Sequence, residues 1–267
     1  MTRPLRALVT GASRGVGRGV AEGLAEIGAT VYATGRDPGA LAETASRSAA
    51  LGGSTVPVRC DHSDDTQTEA LFARIEREAG GLDVLVNSAW AGYERMLEDG
   101  VFTWEKPFWE QPLWRFDAMF ANGVRAAYAA SRFAARLMVP CHDGLIVNLS
   151  YWASQKYMSN VPYGVSKAAT DRLAADTAHE LRHDGVTVVS LYPGLVRTER
   201  VMEAAAAFDL SNSESPRFTG RAVAALWRDP DRARHSGKAL VVAALARAYG
   251  FRDVDGSQPR PLTLETA

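Results

Sequence analysis

Short apolar runs of about six residues alternate along the chain with longer segments in which apolar positions recur every three or four residues, the patterns of buried strands and one-sided helices. Residues 5–10 (LRALVT) form the first apolar run, and a helix follows the glycine-rich turn after it, to about Gly28. Thr30–Thr34 reads as a second strand and Pro38–Leu51 as a helix, then Ser54–Arg59 as a strand and Asp64–Ala79 as a helix capped by Ser63 or Asp64. The fourth strand is Asp83–Asn87 (DVLVN). The rhythm breaks over Trp90–Leu113, which carries Trp90, Tyr93, Phe102, Trp104, Phe108 and Trp109 together with Pro107 and Pro112. A loop of that length in a compact domain is functional or disordered, and the aromatics argue against disorder. A substrate lid and a cap over exposed core or a subunit contact are both open readings. The alternation resumes with a long helix Trp114–Val139, strand Leu145–Leu149, helix Pro162–His183 and strand Val186–Tyr192, then helix Pro216–Trp227, strand Lys238–Ala243 and an irregular tail from Asp253. Strands separated by helices of ten or more residues predict an α/β fold: a doubly wound, seven-stranded, mostly parallel sheet with right-handed crossovers and helices on both faces. With no repeat and no linker, residues 1–267 read as one domain with an aromatic insert at about 90–113.

Composition narrows the class. The chain has 267 residues, 46% hydrophobic and 23% charged, which suits one domain with a sizeable core. A formal net charge of -1 offers no draw to nucleic acid or anionic membrane. The start, MTRPLRALVTGAS, does not read as a signal peptide, and no stretch approaches the roughly 20 apolar residues of a membrane span. Cys60 and Cys141 form neither a C-x-x-C pair nor a metal-ligand spacing, consistent with a cytoplasmic protein.

The chemistry begins at Thr10-Gly11-Ala12-Ser13-Arg14-Gly15-Val16-Gly17. Strand, glycine turn and helix in that order place free N–H groups and a positive dipole end where a pyrophosphate can approach, a Rossmann-type arrangement with Gly11, Ser13, Arg14, Gly15, Val16 and Gly17 as contacts. No G-K-[ST] follows, so the nucleoside-triphosphate loop is excluded. The second strand ends in Gly35-Arg36, where selection of NAD calls for an acid on the ribose. The missing acid, with Arg14 and Arg36 present, favours the 2′-phosphate of NADP(H) over NAD(H). Asp61, at the end of the third strand, is a candidate adenine contact. Tyr163 and Lys167 stand four apart on a helix, so a phenol and an ammonium share one face. The ammonium is expected to lower the phenol's pKa and make Tyr163 usable as an acid or base near neutrality. His179-Glu180-Leu181-Arg182-His183 matches the H-E-x-x-H metalloprotease pattern, but it lies about four turns from that pair and lacks a third ligand, so no metal is expected.

In this order, T-G-x-x-x-G-x-G, Asn122, Ser150, Y-x-x-x-K and P-G-x-x-x-T make the chain similar to the short-chain dehydrogenase/reductase family over nearly its whole length. KPFWEQP, NVPYGVSKAA and ARAYGFRDVDG point to one branch of it. The resemblance implies that Tyr163 is the general acid or base and that Lys167 tunes it and binds the ribose. It implies that Asn122 holds a water on the proton relay and Ser150 bonds the substrate carbonyl. Asn87, Pro193, Gly194, Val196 and Thr198 would join the glycine turn, Arg36 and Asp61 around the cofactor. Three departures stand out. Asn87-Ser88-Ala89-Trp90 replaces N-N-A-G, putting an indole near the cofactor or the root of the insert. Counting from the strand puts the catalytic serine at Tyr151, while counting thirteen back from Tyr163 gives Ser150; Ser154 is a third candidate. Asn122 sits in FANGVR, where a slip of one residue would give Ala121; its twenty-eight-residue separation from Ser150 is the family's.

The expected activity is therefore NADP-dependent hydride transfer with a small carbonyl or alcohol. Its rival is a cofactor-binding sensor or scaffold without turnover. Trp90, Trp104, Tyr151 and Trp152 are candidate substrate contacts and suggest an apolar or aromatic compound. The family also implies a homodimer or homotetramer packed through helices 114–139 and 162–183, whose alanine-rich faces could instead pack on the sheet.

Overall fold

Strand and helix alternate almost without exception. The computed structural model describes residues 3–98 and 101–267, so two positions of the 90–113 insert, Asp99 and Gly100, and the first two residues of the chain lie outside the described residues. In chain order the elements begin β1 (Arg6–Val9), α1 (Gly15–Ala25), β2 (Thr30–Gly35), α2 (Pro38–Ala49), β3 (Ser54–Arg59), α3 (Asp65–Ala79) and β4 (Val84–Asn87). The insert holds β5 (Leu97–Glu98) and β6 (Val101–Phe102), an antiparallel pair. There follow α4 (Leu113–Met119), a π-turn at Phe120–Arg125, α5 (Ala126–Met138), β7 (Gly144–Leu149) and α6 (Val161–Glu180). The chain closes with β8 (Val186–Tyr192), α7 (Glu199–Glu203), α8 (Pro216–Arg228), β9 (Ala239–Val241) and α9 (Val242–Tyr249).

Seven strands form one sheet in the order β3-β2-β1-β4-β7-β8-β9, every neighbouring pair parallel. The central strands are apolar on both faces, as a sheet covered by helices on both sides requires. Pro57 falls in β3, an edge strand, where a missing N–H costs no ladder bond on the open side. One face is covered by Val20, Leu24, Phe218, Val223 and Leu226 of α1 and α8, the other by Leu71, Phe72, Ile75, Phe133 and Met138 of α3 and α5. Phe72 and Phe133 stack with centroids 5.6 Å apart.

Glycine sets how closely α1 and α8 cross. A Cβ on Gly19 would lie 2.1 Å from the carbonyl carbon of Pro216, and one on Gly23 would lie 2.7 Å from Gly220 Cα. The two backbones therefore touch, which holds the start of α1 in a fixed relation to α8.

Order reverses beside β1, whose neighbours β2 and β4 lead the chain to opposite sides, and the crevice opens at the carboxyl ends there. Asp64, one of the two expected caps, does cap α3, accepting from the N–H of Thr66 and Gln67. The expected strand Lys238–Ala243 is shorter. It turns into α9 at Val242 because Val242, Ala243, Leu245 and Ala246 are all buried, a helical rather than an alternating spacing. The expected helix Trp114–Val139 is likewise two helices joined by a π-turn. Ala130 and Ala134 of α5 and Ala174 and Ala178 of α6 belong to the core against the sheet. No helix among the described residues is long and apolar enough to cross a membrane.

Candidate active site

The turn after β1 is built for close approach. Gly11 has φ +64°, and a Cβ on Gly17 would sit 2.3 Å from the Gly11 carbonyl oxygen, so both positions exclude side chains. Thr10 Oγ1 accepts from the N–H groups of Ser88 and Ala89, each at 3.0 Å, and ties this turn to the end of β4. At the start of α1 the Gly15 N–H donates to the Glu199 carboxylate at 2.9 Å, and Arg18 pairs with the same carboxylate at 3.3 Å. An anion thus already occupies the place that the helix start prepares for one. Outside it lies a cleft of about 1010 Å³ whose lining includes Ser13, Arg14, Arg36 and Arg197. Arg14 and Arg36 are both exposed there, free to reach a phosphate. Asp61 is less free: its carboxylate accepts from Ser63 N–H at 3.0 Å and from Ser63 Oγ at 2.7 Å.

Tyr163 stands in the first turn of α6, its N–H held by the N-cap Asn160 Oδ1 at 3.0 Å. Lys167 follows one turn later, 7% exposed, with Nζ donating to Leu149 O at 3.1 Å. Between them stands the Trp90 indole. Lys167 Nζ lies 3.8 Å from the Trp90 ring centre and 5.7 Å from the Tyr163 ring centre, and the Trp90 and Tyr163 rings meet edge to face at 6.0 Å. The expectation that Lys167 lowers the Tyr163 pKa is accordingly reversed in this structure. Burial pushes the phenol well above its usual value, and the nearby Tyr93 and Tyr151 phenols add to the effect. Burial likewise pushes Lys167 down to about 7, against the pull of Asp171. In this state the phenol holds its proton firmly.

Asn122 lies within the π-turn, half-buried, with Nδ2 donating to Ala118 O at 3.3 Å. Among the described residues, none donates a hydrogen bond to its side-chain oxygen. The Ser150 hydroxyl donates to Lys167 O at 3.4 Å and is 4% exposed. Tyr151, the next residue, is half-buried: burial raises its phenol, and the Glu214 carboxylate adds to the shift. Ser154 Oγ contacts Tyr192 Oη, and the Trp152 ring packs on Tyr192 at 5.2 Å. The structure thus brings Trp90, Trp104 and Tyr151 to Tyr163 and leaves Trp152 outside that cluster. Asn87 is committed inward, its Nδ2 donating to Asn148 Oδ1 at 2.8 Å and Ser131 Oγ at 3.0 Å. Val196 is buried in a bridge to Glu214, and Thr198 caps α7. Pro193 and Gly194 follow β8 directly, with the Gly194 N–H held by the Glu214 side chain.

Four residues of the site escaped the sequence: Tyr93, Asn160, Glu199 and Glu214. Only Asn160 carried a readable signal, an N-cap type followed by proline at the second helical position. Glu214 is 1% exposed with Oε2 lacking a partner among the described residues, and burial pushes it up to about 7. His179 and His183, of the H-E-x-x-H pattern, are exposed at the end of α6, far along the helix from Tyr163.

Comparison with known proteins agrees with this geometry. The family description "short chain dehydrogenase" matches residues 6–208. Over 96% of its length the chain is 47% identical to dehydrogenase/reductase SDR family member 1 of Mus musculus, covering 86% of that protein. It is also 32% identical to gluconate 5-dehydrogenase of Gluconobacter oxydans, over 73% of this chain and 72% of that one. Among solved structures, a short-chain type dehydrogenase/reductase from Mycobacterium ulcerans superposes with a TM-score of 0.77 at 26% identity, covering 91% of this chain and 90% of the other.

Proposed function

The chain belongs to the short-chain dehydrogenase family of oxidoreductases, and from that premise we propose that it is an NADP-dependent carbonyl reductase or alcohol dehydrogenase with Tyr163 as general acid and base. The observation that carries the reading is a convergence. An anion-accepting helix start at Gly15 and the Tyr163–Lys167 pair open onto the same carboxyl edge of one sheet.

The residues present fit a dinucleotide. The Gly15 N–H already holds a carboxylate, and the Gly11–Gly17 contact leaves no room for a Cβ that would keep a pyrophosphate away. Gly11, Ser13, Arg14, Gly15, Val16 and Gly17 would take the phosphates, and Arg14 with Arg36 the 2′-phosphate. Pro193, Gly194, Val196 and Thr198 would line the nicotinamide, with Asn87 supporting them through the end of β4. Asp61 would meet the adenine. When bound, NADP(H) supplies or takes the hydride.

The protein's part is the proton and the geometry. Tyr163 carries its proton at neutral pH and so would be the group that protonates a reduced carbonyl oxygen, the more readily as a nearby cation lowers its pKa. Lys167, brought back toward its usual value by a bound anion or hydroxyl, would lower the phenol and permit the reverse. Asn122, its oxygen free, would hold a water for proton resupply, and Ser150 or Tyr151 would take the substrate oxygen. The substrate is a small carbonyl or alcohol compound. A homodimer or homotetramer and a cytoplasmic setting complete the proposal. Exposed Tyr128 and Val165 on α5 and α6 support the former, checked by light scattering, and free Cys60 and Cys141 the latter.

The test is titration with NADPH and NADH, alongside Arg36→Asp, followed by a carbonyl screen. Tight NADPH and weaker NADH are expected, with the order levelled in the variant. Cofactor binding with no turnover of any carbonyl would instead mean a sensor or scaffold.

A further inference from the structure

The 90–113 insert is fastened from inside. Arg115 is fully buried at the start of α4, and its guanidinium donates to Arg95 O at 2.9 Å, Thr103 O at 3.2 Å and Thr103 Oγ1 at 2.7 Å. It also lies 5.8 Å from the Trp104 ring centre. The Gln111 amide donates to Lys106 O at 2.7 Å and Trp104 O at 2.9 Å. These bonds hold the turn that presents Trp104 in one conformation. Tyr93 and Trp104 of the insert lie 5.3 Å apart between ring centres. Both reach the proposed acid/base residue: Tyr93 lies 6.1 Å and Trp104 5.5 Å from the Tyr163 ring. Trp90 completes the enclosure at 6.0 Å and is itself seated against Gly123, where a Cβ would come within 2.7 Å of the indole.

One side chain joins this wall to the catalytic helix. Asn160 is 1% exposed, and its two amide ends perform different tasks. Oδ1 accepts from Tyr163 N–H at 3.0 Å and caps α6; Nδ2 donates to Trp104 O at 2.8 Å. Only that orientation of the amide satisfies both neighbours.

Building on the reading of Tyr163 above, we propose that Asn160 is a positioning residue that latches the insert to the catalytic helix, and that Tyr93 and Trp104 are specificity-determining residues which select planar, aromatic carbonyl compounds. Three aromatic rings border Tyr163, so a carbonyl compound brought to its hydroxyl would pack against them. A flat apolar group replaces ring–ring contacts there with equivalent ones. An aliphatic carbonyl leaves the rings partly uncovered, and a small charged one must also shed its water.

The test compares two diketones that differ by a phenyl group, 1-phenylpropane-1,2-dione and butane-2,3-dione, binding to the full protein saturated with NADP+, where no reduction can occur. The wild type is expected to bind the phenyl compound at least about tenfold tighter. Trp104→Ala and Tyr93→Ala should erase most of that preference. Asn160→Asp keeps the cap acceptor but sets a buried carboxylate against Trp104 O, so it should also lose the preference, at a cost in unfolding temperature that Trp104→Ala and Tyr93→Ala need not share. Amide hydrogen exchange adds a second readout: Asn160→Asp should speed exchange at residues 101–104 and leave the body of α6 protected. A wild type without preference, variants that keep it, or equal loss for both diketones would each overturn the proposal. Failure of the Tyr163 reading is distinguishable, since it would appear as full turnover in Tyr163→Phe whatever the diketone preference.

Discussion

In the proposed cofactor site a phosphate would take the place that the Glu199 carboxylate holds on the Gly15 N–H, so neutralising Glu199 should tighten cofactor binding. Glu199→Gln keeps a side-chain oxygen for the Gly15 N–H and removes only the charge. A hydrogen bond to a charged group contributes about 1.5–3 kcal/mol when shielded from water. Glu199 is 46% exposed, however, and its pairing with Arg18 is an ion pair at the rim of an open cleft. Solvent screening brings the charged part of the contact to about 1 kcal/mol. Binding must forfeit that amount in the wild type and not in the variant, so the Kd for NADPH should fall about fivefold. Isothermal calorimetry at low salt measures it directly. At 1 M salt, where the Debye length is about 3 Å, the two proteins should converge. Equal or weaker binding by Glu199→Gln at low salt would refute the reasoning: the carboxylate would then be a neighbour of the phosphate site and not its competitor.

Three further outcomes are expected. Tyr163→Phe should lower turnover by about 10²–10⁴-fold while leaving the NADPH Kd within about twofold, checked by steady-state kinetics and titration. Burial favours the protonated form of Asp83, but hydrogen bonds from Arg3 and Arg6 outweigh it and hold the carboxyl down at about 2. Because the folded pKa is depressed, the stabilisation is present above the unfolded value near 4 and lost as pH falls through about 2. Asp83→Asn should therefore be less stable by on the order of 2 kcal/mol at pH 7, and urea unfolding should show that gap closing between about pH 4 and 2. A Cβ on Gly220 would lie 2.6 Å from Gly19 O, so Gly220→Val should cost about 2 kcal/mol or more by overpacking. Calorimetry should find Tm lower by about 4–8 °C.

Much of the fold was legible because each central strand is a short, mostly apolar run and each crossover helix is long, a pairing with few competing interpretations. The failures have local causes. Ala239–Val241 runs into Val242–Tyr249 without any polar break, so the change from strand to helix left no mark but the spacing of buried positions. The π-turn at Asn122 leaves FANGVR looking like any helical hexamer. In the site, the Tyr163–Lys167 pair was visible from spacing alone. Trp90 is a candidate substrate contact by sequence, but its seat between them was not legible: it fits only because position 123 is glycine, thirty-three places on. The direction of the Tyr163 shift depends on burial by an insert whose fold no periodicity describes. Glu199 meets Gly15 across 184 positions, and nothing in either neighbourhood announces the other.

The contact of α1 with α8 also bears on how the chain is made. The glycine face at Gly19 and Gly23 emerges early, yet the surface that covers it, around Pro216 and Gly220, is synthesised roughly 200 residues later. At about 5–20 residues per second the nascent chain waits about 10–40 s between the two events. So distant a pairing is among the slowest to close, because the intervening chain must be ordered first. During that interval the N-terminal strands can pair while α1 stays uncovered on one side, its glycine-rich start unsupported and prone to fray. The start of α1 is thus written early and covered last, and ribosomal stalling or truncation before α8 should yield chains that engage chaperones and bind no cofactor.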